Sequence, residues 1–98
     1  MNKIDITVII PTWNRANVIK VAINSALKQT YTPLEILVCD DGSTDETKRI
    51  ISEIDNPIVK WVSGKRSGSP AIPRNKGIAL AKGNWIAVYG VSFRRRVL

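Results

Sequence analysis

The chain contains no histidine. An imidazole general base and most zinc sites are therefore excluded within it. Its one cysteine, Cys39, cannot form an internal disulfide, which fits a reducing compartment. Long hydrophobic runs are missing too. Those at 4–10, 34–39 and 85–89 are strand-sized, and none could span a bilayer. The N-terminus lacks the long apolar core of a secretory signal. These absences lead to the expectation of a cytoplasmic protein, at most peripheral to the inner face of the membrane.

What remains is enough for one small domain. The chain has 98 residues, of which 44% are hydrophobic, an ordinary share for a folded protein. The net charge of +7 suits an anionic partner such as a nucleotide, a nucleic acid or a membrane surface. Arg94, Arg95 and Arg96 are read as a solvated basic tail. No recognised nucleic-acid-binding motif accompanies the charge, so a nucleic-acid partner is not expected.

The pattern alternates strand and helix. Residues 4–10 are β-branched and apolar, stop at Pro11, and predict a buried strand. Ile19, Ala22, Ile23, Ala26 and Leu27 recur at helical spacing. A second strand is expected over 34–39. Ser43 and Glu46 have the spacing of a capping box, which predicts a helix from about Thr44, with Thr47, Ile50, Ile51 and Ile54 facing inward. Asn56-Pro57 breaks it. A short strand over 59–62 precedes a loop rich in Gly, Ser and Pro over 63–71. Pro73 suits the first turn of a helix, Gly83 its C-terminal cap, and 85–89 a fourth strand. The expected fold is α/β: an open, mainly parallel sheet with helices on both faces. Ligands bind such sheets beyond the carboxyl ends of the strands. The segments 11–15, 40–45, 63–74 and 90 onward should therefore gather along one edge.

Two carboxylates, Asp40 and Asp41, directly follow the second strand. They can accept hydrogen bonds from a base or ribose or help to hold a cation, and Gly42 permits a tight turn after them. Alternatively they only cap the next helix. Ser43 already offers a cap, which leaves at least one carboxylate for a ligand. After the first strand, Thr12 and Asn14 can donate and accept, and Arg15 can meet a phosphate; an ordinary turn with Asn14 as helix cap is the alternative. Lys65, Arg66 and Arg74 surround the flexible loop. Lys65 and Arg66 read as solvated, whereas Arg74, opening a helix, is the better phosphate partner. Of the tryptophans, Trp61 and Trp85 belong to strands, and Trp13 is placed to stack on a base.

Read together, these segments resemble the inverting family 2 glycosyltransferases of the GT-A fold. The resemblance rests on Val8-Ile9-Ile10-Pro11-Thr12-Trp13-Asn14-Arg15, on the stretch from Ser25 to Tyr31 followed by Leu34 to Val38, on Asp40-Asp41-Gly42-Ser43-Thr44-Asp45, and on Arg74-Asn75-Lys76-Gly77-Ile78. It implies a nucleotide-sugar-binding subdomain over 1–89, with 90–98 an atypical tail. Pro11, Thr12, Trp13, Arg15, Asp40, Asp41 and Arg74 would form the nucleotide site, with Asp41 accepting a hydrogen bond from the base. It implies as partners a nucleotide-diphosphate sugar such as a UDP-sugar and a sugar or lipid-linked acceptor, and as cofactor a Mn²⁺ or Mg²⁺ ion in the complete enzyme. There the ion is held by a later Asp-x-Asp motif, and a further carboxylate activates the acceptor hydroxyl.

Here the sequence departs from the family. No aspartate follows Asp55, and Val88-Tyr89-Gly90-Val91-Ser92-Phe93 leads into the arginines. The expectation is a chain cut off before the metal motif, with no metal or catalytic residue of its own and little activity alone. A frameshift near Tyr89, a short paralogue or a deliberate end would each account for that. Half a sheet would leave a central strand as a bare edge, which predicts self-association. A non-catalytic nucleotide-binding or interaction module is the alternative function.

Overall fold

The computed structural model describes residues 4–89 and the backbone of residues 91–94. The elements run β1 (Ile6–Thr12), α1 (Ile19–Leu27), β2 (Glu35–Asp40), α2 (Thr47–Ser52), β3 (Val59–Val62), α3 (Ala71–Leu80), β4 (Trp85–Val88) and β5 (Val91–Arg94). The strands form one sheet in the order β3-β2-β1-β4-β5. The first four are parallel, and β5 runs antiparallel to β4. The sheet is thus open and mainly parallel, as the alternating pattern requires.

Alternation along β1 and β2 sends side chains to two cores, because strand side chains have a period of two. Val8, Ile10, Ile36 and Val38 face α1 and α2, meeting Ile19, Ala22, Ile23, Ala26 and Ile51. Ile9, Leu37 and Cys39 face the other way, with Ala81, Ile86 and the half-buried Ile78. Both faces are covered, which is why the centres of β1 and β2, residues 8–10 and 36–39, are unbroken apolar runs. Burial pushes the Cys39 thiol up to about 11, partly opposed by the charge of Lys76, so this cysteine packs as an apolar side chain.

Several local expectations are corrected by long-range contacts. β1 does not stop at Pro11 but continues to Thr12. Ile9 O accepts the Tyr89 N–H on the β4 side, and Thr12 O accepts the Asp41 N–H on the β2 side. Pro11, two residues after Ile9, therefore turns its missing N–H towards β4, whose register with β1 ends at Val88. α2 starts at Thr47 rather than Thr44, and Ser43 caps nothing. The carboxylate of Asp45 accepts the Thr47 N–H and hydroxyl instead. α3 ends at Leu80, so Gly83 is not its cap. Gly83 donates its N–H to the Thr7 hydroxyl at 2.9 Å. A Cβ there would lie 2.6 Å from the Asp5 carbonyl oxygen.

The far end of the chain also differs from expectation. Part of the stretch read as a tail forms β5, which pairs along β4. β4 is therefore not a bare edge, and the outer strands are β3 and β5. The side chains of Arg94, Arg95 and Arg96 lie outside the described residues, and so does the reading of them as a solvated tail.

Candidate functional site

The strand order reverses its direction of growth at β1, between β2 and β4, and the carboxyl ends of β1 and β2 open onto a cleft of about 230 Å³. Its walls come from Pro11, Thr12, Trp13 and Arg15 after β1, Asp41 after β2, Arg66 and Gly68 in the following loop, and Pro73 of α3.

Two loops are fastened together to make this edge. Asn14 adopts a left-handed backbone with φ of 48°. Its side-chain oxygen accepts the N–H groups of Thr44 and Asp45, and its own N–H donates to the Ser43 hydroxyl. The Arg15 N–H donates to the Thr47 hydroxyl at 3.0 Å. Asn14 is therefore a bridge between loops rather than a cap on α1, and asparagine suits it because its short polar side chain tolerates the left-handed region.

The adjacent carboxylates have separate tasks. Asp40 is buried, and it accepts the N–H groups of Gly42 and Ser43 and the Ser43 hydroxyl. It holds the turn and does not line the cleft. Gly42 sits at φ 80°, and a Cβ there would come 2.6 Å from the Arg66 backbone nitrogen. The turn and the 63–70 loop can approach only because that Cβ is missing.

Asp41 lines the cleft. One oxygen accepts the Ser67 N–H at 3.0 Å and the Ser67 hydroxyl at 2.7 Å. The other accepts Arg66 Nη1 at 2.9 Å and the Gly68 N–H at 3.1 Å. The Ser67 hydroxyl, opposed in part by burial and joined by the Ser67 and Gly68 N–H groups and the Arg66 charge, holds the Asp41 carboxyl below its ordinary value. Asp41 is thus an anionic acceptor at neutral pH.

Trp13 stands in the cleft wall, 43% exposed. The Arg66 guanidinium carbon lies 3.8 Å from the centroid of its ring. Thr12 is buried, its hydroxyl donating to the Ile10 carbonyl oxygen, and Arg15 is exposed at the rim. Trp61 is half-buried against the α1–α2 core. Arg74 does not line the cleft. It is exposed on α3, with its guanidinium on the Asn75 side-chain oxygen. Arg66, which the sequence suggests is merely solvated, is the basic residue brought onto Asp41 and Trp13. Loop composition carries no signal for that contact, since Asp41 lies 25 residues away in the chain.

The divalent cation implied by the family resemblance finds no donor set here. Asp41 already meets four protein donors and Asp40 three. Among the described residues no group of three or more His, Cys, Asp or Glu side chains could hold a metal ion. Nor is any described helix long and apolar enough to cross a membrane.

Comparison with known proteins bears on the same edge. Residues 7–90 match the Glycosyl transferase family 2 family. The succinoglycan biosynthesis protein ExoO of Rhizobium meliloti (strain 1021) is 39% identical over 84 residues, which are 86% of this chain and 24% of ExoO. The Escherichia coli UDP-Glc:alpha-D-GlcNAc-diphosphoundecaprenol beta-1,3-glucosyltransferase WfgD is 35% identical over 82 residues, 84% of this chain and 32% of WfgD. This chain thus spans about a quarter to a third of the length of those relatives. A solved structure of residues 1–349 of S. aureus TarS in complex with UDP superimposes with a TM-score of 0.76 at 34% identity, covering 86% of this chain and 26% of that one. With the sheet, the cleft at its carboxyl edge and the match over residues 7–90 in agreement, the chain belongs to glycosyl transferase family 2.

Proposed function

We propose that this chain is the nucleotide-recognising part of a glycosyltransferase that moves a sugar from a nucleotide-diphosphate sugar, a UDP-sugar by preference, to an acceptor hydroxyl in polysaccharide or glycoconjugate synthesis. The observation that carries this is the pair formed by Asp41 and Trp13: an anionic acceptor and an exposed aromatic plate on the walls of one cleft at the sheet's carboxyl edge. A base stacked on Trp13 can donate an N–H to Asp41. Pro11, Thr12 and Arg15 form the adjoining wall, with Arg15 at the rim where a diphosphate leaves the cleft. Asp40 contributes by holding the turn. The similarity to TarS, solved with UDP, supports the choice of nucleotide.

The chain by itself binds rather than turns over its donor. Asp41 is the carboxylate among the described residues that lines the cleft, and the hydrogen bonds that hold its carboxyl below the ordinary value make it a weak base for an acceptor hydroxyl. That favours the non-catalytic reading for the isolated chain, within the transferase reading for the family. Calorimetric titration with UDP, with and without Mn²⁺, separates the two. Binding of equal strength in both is expected; binding only with Mn²⁺ would show a metal site that the reading omits.

We place the protein on the cytoplasmic side, peripheral to the membrane. WfgD, as named, acts on a lipid-linked diphosphate, and a related acceptor would bring this chain to the membrane face. Self-association is the remaining part of the proposal. The outer strands β3 and β5 are too short to favour edge pairing, so the contact would come from the exposed apolar residues Val21, Trp85 and Tyr89. Sedimentation velocity should show a concentration-dependent shift towards a dimer or larger species; a single monomer boundary at every loading would end this part of the proposal.

A further inference from the structure

An ionised carboxylate offers about four lone-pair positions, and Asp41 meets four protein donors. A base that donates an N–H to Asp41 must therefore replace one of them. Three are held in the Ser67–Gly68 turn: two backbone N–H groups and the Ser67 hydroxyl, which the Ser69 N–H also engages. The fourth is Arg66, whose side chain is 48% exposed. The Ser67 hydroxyl can turn to the Ser69 carbonyl oxygen, 3.1 Å away, but of the four donors only Arg66 also covers the Trp13 ring, and it can leave into water without unmaking the turn.

Arg66 also occupies the other half of the subsite. Its guanidinium is flat and conjugated and lies 3.8 Å over the Trp13 ring while Nη1 donates to Asp41 at 2.9 Å. A stacked plate with an N–H edge turned to a carboxylate is what a nucleobase would present to the same two residues. We infer that Arg66 holds the nucleobase's place in the cleft and is exchanged for the base on binding, so that Arg66 sets the affinity for the base by competing with it.

This inference rests on the proposed nucleotide site but goes beyond it, because it assigns Arg66 a sign. A residue that contacts a bound base strengthens binding; a residue that has to be expelled weakens it. Backbone geometry does not oppose the exchange. Arg66 reaches Asp41 through its side chain, while Ser67 and Gly68 keep the loop on Asp41 through their N–H groups.

Uridine is the probe, since it carries the base without phosphates that would attract the guanidinium for a different reason. NMR titration of uridine into the parent chain, Arg66→Ala, Arg66→Gln and Asp41→Asn tests the exchange. Both Arg66 variants are expected to bind uridine about fivefold more tightly than the parent, the combined worth of one half-exposed ion pair and one cation–π contact. Asp41→Asn should bind it more weakly. Uridine affinity that is unchanged or reduced in both Arg66 variants would overturn the exchange while leaving the nucleotide site standing. If neither uridine nor UDP binds the parent or any variant, the nucleotide reading itself is overturned, and the inference with it.

Discussion

Asp41→Asn is expected to bind UDP about 50-fold more weakly than the parent, and Asp41→Ala no better than that. The loss comes from mismatched donors and acceptors rather than from size. Four protein groups donate to the two Asp41 oxygens. An amide of the same shape has an acceptor at one end and an NH₂ at the other. Turned one way, its NH₂ faces the Gly68 N–H and Arg66; turned the other, it faces the Ser67 N–H, with only the Ser67 hydroxyl able to reverse its role. The loop can no longer close on residue 41, and the base loses its anionic partner together with the wall opposite Trp13. Calorimetric titration of the parent and both variants checks this, with far-UV circular dichroism reporting whether the sheet persists. UDP affinity within twofold of the parent in Asp41→Asn would show that neither the charge nor the acceptor pattern at this position matters to binding.

The largest loss of stability is expected at the opposite end of the sheet. Glu35 is 2% exposed at the start of β2. Its carboxylate accepts the Thr7 hydroxyl at 2.8 Å, the Lys82 N–H at 2.8 Å and the Lys60 ammonium at 3.2 Å. Thr7, fully buried, accepts the Gly83 N–H in turn. One side chain thus joins β1, β2, β3 and the segment that leads into β4. Glu35→Ala leaves the Thr7 hydroxyl and the Lys82 N–H without this acceptor and should destabilise the chain by about 3 kcal/mol in urea denaturation. Glu35→Gln keeps one acceptor and the volume and should cost about 1 kcal/mol. A loss under about 0.5 kcal/mol in Glu35→Ala, the range of ordinary surface substitutions, would remove Glu35 from its structural role.

The same residue gives stability a pH dependence. Burial alone pushes the Glu35 carboxyl up, but the Lys82 N–H, the Thr7 hydroxyl and the Lys60 ammonium outweigh it and hold the carboxyl below its reference value of 4.5. Because the folded value is the lower one, the unfolded chain binds more protons in the interval between them. The stabilisation is therefore complete above 4.5 and is lost as pH falls through the folded value. Asp41 and Asp45 are lowered too and act in the same direction. The contribution of Glu35 is the difference between the parent and Glu35→Gln, and that difference should shrink on acidification.

Contacts within one element and contacts between distant segments leave different marks in the sequence. The apolar face of α1 was legible because Ile19, Ala22, Ile23 and Ala26 are neighbours through the helix's own periodicity, and all four are buried. The two central strands are legible at their centres, residues 8–10 and 36–39, because burial on both faces demands apolar residues there. The carboxyl edge of the sheet is legible as the candidate site, since ligands of such folds bind beyond the carboxyl ends of the strands. Of the motifs carrying the family resemblance, those at 11–15 and 40–45 lie on that edge, whereas 25–31 leads into the opposite end of β2 and 74–78 belongs to α3.

Ser43 shows where this stops. Its spacing to Glu46 has the form of a capping box, yet its hydroxyl donates to Asp40 and accepts the Asn14 N–H. Gly83 has the place of a helix cap in the chain, but serves the close approach of the segment before β4 to Asp5 and Thr7. Neither partner set is marked in the flanking residues.

The sequence alone determined the class of fold, the candidate edge and the family, because each depends on periodicities and short motifs whose parts are close in the chain. Only the tertiary structure decided how the chemistry is shared out. Asp40 is consumed by its own turn, Asp41 faces the cleft, Arg74 lies outside it, and Arg66 rests on Asp41 and Trp13. Those assignments depend on which of several equivalent donors reaches a carboxylate first. That is settled by loop packing at Gly42 between residues 24 positions apart in number, where no local rule applies.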